Sequence, residues 1–201
     1  MKIKVYFDHP PQAKYRLINR TTHSQVVGGH AKPIEMKIYK RYLVSDQKLI
    51  EQLSSQFERI NRDNINWKTT YLDTETGDNW LYYFTDTELH GGGYPMMSKL
   101  PFPDTEKLIE IALTSDKEDE VFAACRTLIN NEKIDNQEFR STLINKLELI
   151  SDSSRQRKVI KAADLDSPMN MKSQLLKSAD QISRDAADFL DIAERAKRLL
   201  E

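Results

Sequence analysis

One segment of the chain has residue types suited to chemistry: Glu88-Leu89-His90-Gly91-Gly92-Gly93-Tyr94-Pro95. Consecutive glycines free the backbone to take positive φ and to bring its N–H groups close to a neighbour. Three uses compete for that freedom. A phosphate-binding loop needs a Lys and then a Ser or Thr directly after its last glycine, and Tyr94 and Pro95 stand there instead. The string His90-Gly91-Gly92-Gly93 is the oxyanion-hole string of some esterases of the α/β-hydrolase fold. That chemistry also requires a Gly-x-Ser-x-Gly nucleophile elbow, and the sequence contains none. The remaining use is a shaped surface loop that presents His90 and Tyr94, or that turns the chain from a strand ending near Thr85 towards its second half. On this reading Glu88, His90, Gly91, Gly92, Gly93 and Tyr94 contact a partner, and no residue is catalytic. A hydrolase with a dispersed site drawn from Asp86, Glu88 and His90 is the alternative, and an assembly or scaffold protein is a further one.

The other chemistry-bearing residues are scattered. His9, His23, His30 and His90 show no zinc-ligand pairing: His23 and His30 stand seven apart with Gly28-Gly29 between them, a spacing unlike two ligands on one helical face or Cys-x-x-Cys. No metal and no cofactor is therefore expected. Cys125 falls in an apolar helical stripe and reads as a small core residue, not a nucleophile. The run Thr114 to Glu120 is either a solvated helix start, with carboxylates at the positive end of the dipole, or an acidic docking patch. Arg155-Gln156-Arg157-Lys158 with Lys161 reads as a solvated basic face. Trp67 and Trp80 flank a proposed hairpin, and burial in a core is the default for both. The connection 8–35 is long enough to be a second binding surface.

Composition narrows the class. The chain has 201 residues, enough for one large domain or two small ones with a real core. A hydrophobic fraction of 39% argues against a disordered chain. Thirty basic against 31 acidic residues leave a formal charge of −1, without the basic excess of a nucleic-acid binder. A single cysteine fits a reducing compartment. Met1 to Asp8 alternate and carry charge, unlike a signal peptide, and no apolar run has the length to span a bilayer. These features predict a cytoplasmic protein with no nucleic-acid or membrane partner, and they leave its oligomeric state open.

The elements that must position these residues change in kind near Pro101-Phe102-Pro103. All six glycines precede it, and strand and turn chemistry gives way to helix chemistry. Strands are predicted at Ile3–Phe7, Met36–Val44, Trp67–Leu72 and Trp80–Thr85 from alternation and β-branched or aromatic content. The linker Asp73 to Asn79 predicts a hairpin between the last two. A helix capped by Ser45-Asp46 carries the stripe Leu49, Ile50, Leu53, Phe57 and Ile60. Beyond the junction, helices are predicted from near Asp104, from Ser115 with a Ser115/Glu118 capping box, from Asp135 with an Asp135/Glu138 box, around Val159 to Ala163, and from about Ser178 to the end. The fold class is thus α+β: a small, mostly antiparallel N-terminal sheet with one helix, followed by a helical bundle of antiparallel hairpins. Residues 1–100 form the sheet domain and 101–201 the helical domain, or the two make one continuous unit.

The stretch from Trp80 through Cys125 resembles immunity proteins of bacterial polymorphic toxin systems. The matching features are Trp80, the string Glu88 to Pro95, the link Leu100-Pro101-Phe102-Pro103, and the helix Leu108 to Ala112 leading into Glu120-Val121-Phe122-Ala123-Ala124. The resemblance implies a small cytosolic protein that binds and blocks a cognate toxin, and it supplies no catalytic residue. The function expected is that of a non-catalytic, protein-binding inhibitor.

Overall fold

The computed structural model describes residues 38, 40–87 and 92–201 of the chain. The expected strand Ile3–Phe7 and the connection 8–35 lie outside them. In chain order the described elements are β1 (Leu43–Val44), α1 (Gln47–Gln56), β2 (Glu58–Asp63), β3 (Lys68–Leu72), β4 (Asn79–Thr85) and β5 (Tyr94–Lys99). The helices α2 (Thr105–Thr114), α3 (Glu118–Asp135), α4 (Arg140–Glu148), α5 (Ser153–Ala162) and α6 (Ala179–Leu200) follow. The strands make one antiparallel sheet in the order β1-β5-β4-β3-β2. The expected α+β class is what the chain adopts.

Alternation in β4 and β5 explains why the sheet is covered on both faces. Trp80 and Met97 turn to one side and pack with Val44, Leu49, Ile50 and Leu53 beneath α1. Tyr83 and Met96 turn to the other and share a core with Leu43 and with residues of α2, α3, α4, α5 and α6. In the helical half α2 packs along α3, α5 packs against α3 and α6, and α4 packs against α6. No helix among the described residues is long and apolar enough to cross a membrane.

Two strands were not anticipated. The stripe that would carry a helix through Ile60 stops at Gln56. Phe57 is extended (φ −78°, ψ 147°), its N–H still donating to Leu53, and its ring packs 6.3 Å from Trp80. Glu58–Asp63 then pairs with β3, so a tertiary strand partner outweighs the local helical spacing. β5 starts at the end of the Gly-rich string and is not among the predicted strands: Pro95 is its second residue and it has no β-branched residue, yet Thr85↔Tyr94 through Trp80↔Lys99 are paired. Conversely, among the described residues of the strand predicted at Met36–Val44, only Leu43–Val44 form a strand. Lys40 there has φ 61°, and Arg41 N–H donates to the Ile38 carbonyl in a turn.

The helix starts near Asp46, Asp104 and Asp152 are capped by those carboxylates, each accepting from the N–H three residues on. Ser178 makes a capping box with Gln181. The two boxes expected at Ser115/Glu118 and Asp135/Glu138 do not form. Ser115 ends α2, and α3 begins at Glu118 without a side-chain cap. Asp135 is the last residue of α3, Asn136 takes the left-handed cap conformation (φ 54°), and Phe139 precedes α4.

The freed carboxylates at the start of α3 join sheet to helices. Glu120, 5% exposed, accepts from the N–H groups of Tyr42 (2.7 Å) and Leu43 (3.2 Å) through one oxygen and from the Ser115 hydroxyl (2.7 Å) through the other. Asp119 pairs with buried Arg41 and accepts from the N–H groups of Ser45 (3.3 Å) and Asp46 (3.4 Å). The Ser45 hydroxyl donates to the Asp119 carbonyl at 2.7 Å. The acidic run is thus more than a solvated helix start: two of its members, Asp119 and Glu120, clamp the backbone around β1, while Asp116 and Glu118 stay exposed.

Removing such an acceptor strands buried donors, at about 1–3 kcal/mol for each group left unpaired. Glu120→Ala is expected to lower the unfolding free energy by about 3 kcal/mol in urea denaturation, whereas Glu118→Ala, at a side chain 80% exposed, is expected to change it by less than about 0.5 kcal/mol.

Candidate functional site

β4 and β5 are joined by Asp86 to Gly93, so the Gly-rich string folds the chain back into its own sheet. It does not carry the chain to the helical half; that crossing runs through Leu100 to Pro103. Glu88, His90 and Gly91 lie outside the described residues. Gly92 (φ +88°) has open space where a Cβ would stand, and Gly93 (φ +81°) would place a Cβ 2.2 Å from the Thr85 carbonyl oxygen. Gly93 is thus required by the close approach of the returning strand.

Tyr94 opens β5 and is 43% exposed. Its ring meets Phe122 edge-on at 5.5 Å, and the Arg126 guanidinium lies over it at 5.7 Å. Behind it a charged network pins the loop to α3. Arg126 donates to Asp86 through Nε (2.9 Å) and Nη2 (2.6 Å) and to Asp164 through Nη1 (2.9 Å). Lys133 donates to the other Asp86 oxygen at 2.9 Å. Burial works to raise the Asp86 carboxyl, but the hydrogen bonds and charges of Arg126 and Lys133 outweigh it and hold the group below its ordinary value. Both oxygens being committed, Asp86 anchors the loop and is poorly placed to take a proton.

Cys125 is a core residue as expected, fully buried in α3, its thiol pushed up to about 12 by burial. The basic cluster on α5 is tied internally: Lys158 to Glu118 at 2.5 Å and Lys161 to Asp166. All four histidines lie outside the described residues. Among the described residues no three His, Cys, Asp or Glu side chains are grouped to hold a metal ion.

The tryptophans part company. Trp80 is 1% exposed beneath α1, but Trp67 is 73% exposed, which corrects the core assignment for it. Trp67 sits at φ 56° in the β2–β3 turn. That turn is built by Asp63, whose carboxylate accepts from the N–H groups of Ile65 (2.9 Å) and Asn66 (3.1 Å) and from the Asn66 amide (2.6 Å). The Asn66 amide leads the contacts that keep the Asp63 carboxyl below its usual value. Ile65 is 88% and Ile60 54% exposed, so an apolar tip stands on β2–β3. Sequence reasoning missed it because Ile60 fitted a helical stripe. The Asp63-Asn64-Ile65-Asn66 turn string was the available signal. The meander places this turn and the Gly92 turn at the same end of the sheet, since Thr69 faces Tyr82 while Thr85 faces Tyr94.

Residues 44–101 match the family model described as Immunity protein 27, a polymorphic-toxin immunity family. The matched segment contains α1 and strands β2 to β5. The resemblance to toxin-immunity proteins is thereby borne out, and the helix residues Leu108 to Ala124 that also carried it lie beyond the match. No curated protein and no solved structure gives a significant match.

Two outcomes follow from this geometry. Left-handed backbone costs a side chain about 1–2 kcal/mol, so Gly92→Ala is expected to lose roughly that much, while Gly93→Ala, which adds a collision with backbone, is expected to lose clearly more; thermal unfolding of the pair distinguishes them. Because the folded-state pKa of Asp86 is depressed, its stabilisation is complete above the ordinary Asp value of about 4 and is lost as pH falls through the lower folded value. Asp86→Asn is expected to be less stable than the parent at pH 7 and to show a flatter stability profile below about pH 4.

Proposed function

We propose that this chain is a non-catalytic, cytoplasmic inhibitor that binds a cognate toxin and blocks it by occupying its surface. The observation that carries the reading is the immunity-family match over residues 44–101. Exposed Ile60, Ile65, Trp67 and Tyr94 all lie within that segment. Exposed aromatic residues on a rigid support are the usual anchors of protein interfaces, and Tyr94 is held by Phe122 and Arg126 on α3. In this reading the partner meets the end of the sheet where the two turns lie, with Tyr94, Gly92 and the loop residues Glu88, His90, Gly91 and Gly93 forming part of the contact. The sheet and the helical half act as one body, because Leu43, Tyr83 and Met96 are built into the helical core.

The test is co-expression with a candidate toxin domain taken from the neighbouring gene. Restored growth and a stoichiometric complex on gel filtration are expected, and Tyr94→Ala is expected to weaken the complex at least about tenfold, a loss of about 1.4 kcal/mol. Growth arrest that wild-type chain does not relieve would contradict the reading.

A further inference from the structure

Among the described residues, the outer edge of β2 is an open strand edge. Glu58 to Arg62 are all exposed, and among the described residues the strand pairs with β3 alone. Such an edge presents unpaired N–H and C=O groups that template another strand. What distinguishes this one is the order of its charges. A bulge between Arg59 and Asn61 brings Arg59 opposite Tyr71 and Arg62 opposite Thr69, with Glu58 opposite Leu72 and Asp63 opposite Lys68. Tyr71 and Thr69 face the α1 side, with Trp80 and Tyr82, so both arginines point to one face. Among the described residues neither Arg59 nor Arg62 has an ion-pair partner.

A second copy of the chain is a poor occupant. In the symmetric antiparallel alignment of β2 with itself, Arg59 would stand opposite Arg62 and Glu58 opposite Asp63, and like charges directly opposite are destabilising. A strand with acids facing the arginines is the complementary one. β3 meets Arg59 and Arg62 with residues two apart, so a regular strand on the open side would meet them with acids at positions i and i+2.

Resting on the toxin-binding reading, we propose that the β2 edge is the docking site of an extended acidic segment of the partner protein, which adds as a sixth strand. Two of its carboxylates face Arg59 and Arg62, and an apolar residue beyond them lies on Ile65 and Trp67. Ile60, displaced by the bulge, adds apolar contact at the centre.

The probe is an eight-residue peptide alternating Val and Glu and ending in Leu, titrated into 15N-labelled full-length chain. Its twin carries Lys for Glu. Amide shifts confined to residues 58–68 are expected with the acidic peptide, at least tenfold weaker with the Lys twin and with the chain carrying Arg59→Glu and Arg62→Glu. Both sites are exposed, so the double variant is expected to unfold at the parent temperature. Absence of shifts, shifts elsewhere, equal binding of the twin, or a dimer of free chain in light scattering would overturn the proposal. The double variant neutralising the toxin as well as wild type would also remove docking from this edge while leaving the inhibitor reading intact. Failure of the wild type to neutralise would strike that reading alone.

Discussion

The structure turns on two neighbouring carboxylates at the start of α3. β1 is two residues long and forms one edge of the described sheet, too short to hold its place by strand pairing alone. Glu120 supplies acceptors for the N–H groups of Tyr42 and Leu43, and Asp119 does the same for Ser45 and Asp46. Those positions are favourable for anions because a helix N-terminus is electropositive. The clamp fixes where β1 lies, and with it the side on which Leu43 enters the helical core and Val44 enters the core beneath α1.

From that constraint the exposed surface follows. With the central residues of β4 and β5 buried, the exposed parts of the sheet among the described residues are the far edge, β2, and the turns at its two ends, and the exposed apolar groups Ile65, Trp67 and Tyr94 stand at one of those ends. The β2–β3 turn is held by Asp63, and the β4–β5 turn is held by Gly93 and by Asp86 on Arg126 and Lys133. Neither turn has a reactive arrangement of described side chains. The described residues at both turns carry exposed aromatic and apolar groups, which suits recognition of a protein better than chemistry on a small molecule.

Much of the framework was legible in the sequence. The strands around Trp80 and Thr69 were carried by residue type and alternation, the starts of α1, α2 and α6 by Asp46, Asp104 and Ser178, and the bodies of the helices by periodicity. What escaped did so for physical reasons. Phe57 and Ile60 continue a helical spacing, and only pairing with β3 makes Glu58–Asp63 a strand. Pro95-Met96-Met97 has weak strand propensity, and its place is set by Trp80 to Thr85 alongside. Ser115 and Asp135 carry the local pattern of capping boxes, but the Ser115 hydroxyl donates to Glu120 and accepts from the Lys117 N–H instead, and a left-handed Asn136 follows Asp135. In the expected partner site, the sequence marked Gly93 and Tyr94 as special. Gly93 is needed for a close backbone approach, and Tyr94 stands on α3 instead of projecting from a free loop. The exposure of Trp67 had no local signature beyond the Asp63 turn.

Amide hydrogen exchange of the free chain tests the central constraint most directly. If the carboxylates of α3 hold β1 in place, the amides of Tyr42 and Leu43 will exchange as slowly as those of central β4, although they lie at a sheet edge, while open amides of β2 exchange orders of magnitude faster. Rapid exchange at Tyr42 and Leu43, at the level of β2, would contradict the account.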